Sequence, residues 1–192
     1  MSKEEENEPI GSKANYWTFC PEDENGKRSF KPQLAADWLK ANYQFKTDKA
    51  TEKMFYGDAK TGKWNRKGEI NLQQILTKLL GQGNRKVHYN NILHDLKGLT
   101  YEDIVFSKKI AVENGILDPE TGEFTKPTLN EMVYYQIPAK YNPNVNPLKL
   151  DSWLEFLKQV ASADDIPFLQ EWAGYLLLAD YRFHCALWIH GE

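Results

Sequence analysis

The sequence predicts an α+β fold, and three observations carry that expectation. Apolar residues recur at helical spacing in five windows; aromatic and threonine-rich stretches broken by Asp-x-x-Thr-Gly turns mark short strands between them. Third, the 192 residues are 41% hydrophobic and 13% aromatic, enough to bury a core and too much for a disordered chain.

Met1 to about Ser29 is polar and acidic with Pro9, Gly11, Pro21 and Gly26, which predicts a mobile arm anchored by Tyr16, Trp17 and Phe19. Pro32 suits a first helical turn, and Leu34, Trp38, Leu39 and Tyr43 share one face, so a helix runs to about Asn42. Phe45 to Trp64, with Asp58-Ala59-Lys60-Thr61-Gly62 inside it, reads as two short strands joined by a turn. Leu72, Ile75, Leu76, Leu79 and Leu80 mark an amphipathic helix stopped by Gly81, and Tyr89, Ile92, Leu93 and Leu96 mark a second before Gly98. Helices beside a basic hairpin make a winged-helix-like arrangement.

Further on, Ile110 to Val112, Ile116-Leu117 and Met132 to Ile137 are strand candidates separated by Asn114-Gly115 and Thr121-Gly122. Tyr141 to Pro147, rich in proline and asparagine, interrupts regular structure. Trp153, Leu157 and Val160 mark a helix capped by Asp151 or Ser152. Leu169, Trp172, Ala173 and Leu176 mark another, started by Asp165 and Pro167 and apolar enough through Leu178 to be buried. Cys185 to Ile189 reads as a buried terminal strand. The expected organisation is an acidic arm over 1–30, a winged-helix-like basic domain over 31–105, a strand-rich linker over 106–147, and a helical, collar-like region over 148–192.

The net charge of −3 hides a partition: residues 1–30 carry −3, residues 31–98 carry +7, and residues 99–192 carry −7. A local positive field recruits an anion that the whole-chain balance does not advertise, so the middle third is the candidate nucleic-acid surface. Asp58 to Trp64 and Asp118 to Phe124 share the pattern D-x-x-T-G-x-aromatic, one turn chemistry used twice. The first copy carries Lys60 and Lys63 where the second carries Glu120 and Glu123, so only the first approaches phosphate favourably. Lys60, Lys63, Arg66 and Lys67 form a basic wing in which Trp64 either stacks on a base or packs in the core; Arg85 and Lys86 add charge before the next helix.

Most catalytic classes find no support. His88 and His94 are six apart, as are His184 and His190, and Cys20 and Cys185 form no C-x-x-C, so no metal site or disulfide framework is expected. There is no G-x-S-x-G, and Gly81-Gln82-Gly83 follows a helix and lacks the third glycine of a dinucleotide loop. Asp164 and Asp165 read as helix caps. The longest nearly apolar run, Ala173 to Ala179, falls far short of the roughly 18 to 20 residues of a membrane span. The acidic start is unlike a signal peptide, so a cytoplasmic protein is expected.

Ala186 to Ile189 leads into His190-Gly191, the way a strand feeds a phosphate-binding loop. Asp151 to Leu157, Phe168 to Leu177 and Leu187 to Gly191, in that order, closely resemble the segment just ahead of the ATPase in phage, plasmid and viral primase-helicases of helicase superfamily three. Val112 to Asp118, with Thr121-Gly122, and Ile137 to Pro143 also look like that family's N-G-hydrophobic-hydrophobic-D and P-x-x-Y-x-P stretches. The resemblance implies a DNA-replication module that binds DNA and positions or oligomerises a helicase, with DNA and helicase subunits or further copies as partners. Gly191 transfers only as the first residue of an incomplete nucleotide loop. The loop lysine and its Ser or Thr have no counterpart here, so ATP and Mg are implied only for a full-length relative, and no cofactor, membrane or small-molecule substrate is expected. A stand-alone DNA-binding initiator or regulator, and a protein-interaction collar without nucleic acid, are the alternatives.

Overall fold

The computed structural model describes residues 14–145, 151–178 and 182–190. Within it the chain forms two compact units, one of Met1–Asp58 with Trp64–Val105, the other of Ala59–Lys63 with Phe106–Glu192. Gly191 and residues 1–13 of the acidic arm lie outside the described residues.

The first unit begins with a 3₁₀ turn, Tyr16–Phe19, capped by Asn15, whose Oδ1 accepts from the Trp17 N–H at 3.0 Å. Phe19 is buried and Tyr16 stacks on Phe30, which stacks on His88 at 4.3 Å, whereas Trp17, expected as a further anchor, is 62% exposed. The described end of the arm is therefore part of the core. Helix α1, Pro32–Asn42, follows its proline and turns Ala35, Ala36 and Leu39 inward. The small alanines let helix α3, Lys86–Thr100, approach closely, with Ile92 and Leu96 facing them. Helix α2, Gly68–Leu80, adds Leu72, Leu76 and Leu80 and stops at Gly81 in a positive-φ conformation.

Where the sequence predicts two strands there are three, β1 (Gln44–Asp48), β2 (Met54–Asp58) and β3 (Lys63–Asn65), joined by β4 (Tyr101–Glu102) in the order β3-β2-β1-β4. β1 pairs antiparallel with β2 and parallel with β4. The extra turn, 48–53, is the Asp118 turn in another guise. In both, the first N–H donates to the sixth residue's carbonyl and the aspartate side chain caps later turn groups. The fifth residue has positive φ in all three turns: Glu52 at 56°, Gly62 at 68° and Gly122 at 73°. At the sheet's end, buried Thr100 donates to the Leu96 carbonyl at 2.7 Å and pairs with the Thr47 hydroxyl at 2.8 Å, tying α3 to β1.

The second unit holds β5 (Ile110–Val112), β6 (Gly115–Leu117), β7 (Phe124–Thr125) and β8 (Gln136–Ile137) in the order β7-β6-β5-β8. The stretch from Met132 is not one strand: only Gln136–Ile137 pairs, parallel to β5, while Met132 and Val133 are buried outside regular structure. The Asn114 side chain both accepts from the Tyr141 N–H and donates to the Tyr141 carbonyl, each at 2.8 Å. This clamp joins the N-G and P-x-x-Y-x-P stretches.

Helices α4, Asp151–Val160, and α5, Asp165–Leu176, complete the unit. Asp151 and Ser152 open the described part of α4, and the position ahead of it lies outside the described residues. Asp164 makes no side-chain cap; instead the Ser162 hydroxyl accepts from the Asp165 N–H and donates to its carboxylate. Two further expectations are corrected. α5 has no buried residue among those described, because no apolar surface among the described residues encloses it. Cys185 to Ile189 forms no strand and is largely exposed, with Trp188 at 89%, since no described strand offers it a backbone partner.

Candidate nucleic-acid interface

The predicted basic residues fall into two groups. Lys60 and Lys63 flank the Gly62 turn, which belongs with the second unit. A Cβ on Gly62 would lie 2.6 Å from the Thr128 backbone nitrogen, so this turn rests on the chain at 127–128. Trp64, Arg66, Lys67, Arg85 and Lys86 belong to the first unit. Trp64 is 1% exposed, with the Lys46 ammonium 5.1 Å from its ring centre. Of the two roles its position admits, packing accounts for the ring as it stands; a base reaches it only if the strand opens.

Lys67 and Arg85 occupy equivalent places, immediately before the first residues of α2 and α3, and neither helix start has a side-chain cap. The uncapped N–H groups and the positive helix end favour an anion there. Tyr89, in the first turn of α3, donates from its hydroxyl to the Glu69 carbonyl in the first turn of α2 at 3.4 Å, which brings the two starts together. Burial, with Glu69 nearby, pushes the Tyr89 hydroxyl pKa up, so the ring stays a neutral donor. The acid in the α2 first turn is already matched: Glu69 pairs with Lys97 at 2.6 Å. α3 has no acidic residue in its first turn.

Several cations elsewhere are paired. Arg28 pairs with Glu22, Lys46 with Glu102, Lys49 with Asp103, Lys109 with Glu131 and Arg182 with Glu120. Among the described residues no carboxylate pairs with Lys63, Lys67, Arg85 or Lys86. Two helix starts without side-chain caps are thus bridged to each other and carry cations that no described carboxylate matches, a setting whose field favours anions in general.

Beside them lies an open groove of about 410 Å³ lined by Gln73, Asn84, Lys86, Tyr89 and Asn90. Sequence reasoning missed it, because Gln73 and Asn90 are ordinary exposed helix residues until α2 and α3 cross. The only hint is an amide-rich surface next to the Arg85-Lys86 pair. Among the described residues no three His, Cys, Asp or Glu side chains come together as a metal site would need, and Cys20 and Cys185 are both free thiols. No helix among the described residues is long and apolar enough to cross a membrane.

Residues 15–162 match the family described as D5 N terminal like. The chain belongs to the D5 N-terminal-like family. That family is the N-terminal region of phage, plasmid and viral primase-helicases, in agreement with the resemblance carried by the Asn114 and Tyr141 stretches. The match takes in both units, from Asn15 in the 3₁₀ cap to just past α4. No curated protein matches the chain significantly. A D5 N-terminal-like chain is thus a primase-helicase-associated domain.

Proposed function

We propose that this chain binds DNA and positions or oligomerises a primase-helicase, working in the cytosol of a host cell. The observation that carries the reading is the pair of bridged, uncapped helix starts with Lys67, Arg85 and Lys86 unmatched by any carboxylate among the described residues. Phosphate contacts there fix the chain's register on a strand without reading sequence. The Gly62 turn, with Lys60 and Lys63, adds a basic wing, and Trp64, buried as it is, packs rather than stacks on a base. ATP and Mg belong to a neighbouring motor.

A second activity has its own support. α4 and α5 expose Trp153, Phe156, Val160, Phe168 and Leu176, more large apolar surface than a helix pair that stays in water carries. We assign this face to helicase subunits or further copies of the chain, the collar-like role.

The test is a double charge reversal, Lys67→Glu with Lys86→Glu, in the full chain, with binding to a labelled oligonucleotide measured by anisotropy. Both side chains are exposed, so stability changes by about 0.5 kcal/mol or less. Affinity should fall by about tenfold or more, and the log–log salt dependence should become shallower by about one for each phosphate no longer neutralised. Unchanged binding by the reversed chain would refute the assignment.

A further inference from the structure

From the groove beside the helix starts we infer that the strand this chain binds is single, and that one unpaired nucleobase seats between α2 and α3 on Gln73, Tyr89 and Asn90. The inference rests on the DNA-binding reading above and goes beyond it by naming the substrate form.

Shape comes first. A duplex is read by a convex element that enters its major groove, whereas a concave site receives a base only after that base has left the stack. The surface between α2 and α3 is concave, and its volume of about 410 Å³ lies in the roughly 300–1,000 Å³ range of small-ligand sites. Chemistry comes second. Asn84 is committed, donating from Nδ2 to the Thr77 hydroxyl at 3.1 Å, and Tyr89 is held by its bond to the Glu69 carbonyl. The Gln73 and Asn90 amides have no partner among the described residues, so two donor–acceptor groups face the groove uncommitted. An amide that both donates and accepts matches a base edge, and the half-buried Tyr89 ring supplies a stacking face fixed by its hydroxyl. Charge comes third: Lys86 lines the same groove with no acidic residue among its lining, which places an ammonium where the nucleotide's phosphate would lie.

The experiment compares the full chain with Gln73→Ala/Asn90→Ala on a single-stranded oligonucleotide and on the duplex of the same sequence, across a salt series. The inference expects the parent to prefer the single strand, and the double variant to lose about tenfold in single-strand affinity, the scale of an amide–base contact. Duplex affinity and the salt slope should not move, because every phosphate-facing cation is kept. As a second readout independent of the variant, the side-chain amide resonances of Gln73 and Asn90 should shift on adding single strand and stay put on adding duplex. Equal binding of both forms, or unshifted amide resonances with single strand bound, overturns the inference while leaving DNA binding intact. No binding to either form overturns the DNA-binding reading and this inference with it.

Discussion

Gly62 and Gly122 occupy the same place in two copies of one turn, with φ of 68° and 73°, yet their surroundings differ. A Cβ on Gly122 meets open space, whereas one on Gly62 runs into the backbone of Pro127 and Thr128. Gly122→Ala therefore incurs only the left-handed backbone penalty, about 1–2 kcal/mol. Gly62→Ala adds a clash with a backbone that has little room to move, so its destabilisation in urea unfolding should be clearly larger. Equal effects of the two substitutions would mean the 127–128 segment yields freely. The two Asp-x-x-Thr-Gly turns are legible in the sequence because glycine announces the left-handed residue. The third, 48–53, is not, since Glu52 takes that conformation without the signal. For that reason the β1–β2 hairpin is invisible to pattern reading, and the sequence leaves Trp64 between stacking on a base and packing in the core.

The same turns make an acid-labile element. The Asp48 carboxyl sits below its ordinary pKa, first because the Thr51 hydroxyl donates to it and then through backbone N–H groups. Asp118 is lowered chiefly by the Glu120 N–H. A depressed folded-state pKa contributes stability that is present above the unfolded value, about 3.9, and is lost as pH falls through the lower folded value. Both turns should thus be insensitive to pH near neutrality and loosen only below about pH 4. Side-chain carboxyl chemical shifts of the two residues, titrated downward, check this; titration at or above the ordinary value in either residue contradicts the capping account. At this scale the helices are the legible part, their apolar spacing marking all five. What covers a helix is another matter: α5 is apolar enough to be buried, yet none of its described residues is, and no periodicity records that. The strand expected at Cys185 to Ile189 fails for a related reason, because a strand exists only with a neighbour's backbone.

Across the molecule, the +7 of residues 31–98 is legible by counting, but which of those charges face a partner is not. Lys46, Lys49 and Lys97 are drawn into pairs with Glu102, Asp103 and Glu69, while Lys67, Arg85 and Lys86 at the two helix starts pair with no carboxylate among the described residues. The groove is illegible because it is made by the crossing of α2 and α3 and by the reach of Tyr89 to Glu69. The Asn114 clamp on Tyr141, by contrast, gives a structural meaning to two short patterns that sequence alone marks only as family-like. The central claim is that unmatched cations at two helix starts bind a nucleic-acid backbone. Its most direct measurement is the dissociation constant of the full chain for a single-stranded oligonucleotide over a salt series. With roughly three to four phosphates neutralised, the log–log slope should be about −2 to −3, at about −0.7 for each. A flat response, or no binding at low salt, would contradict it.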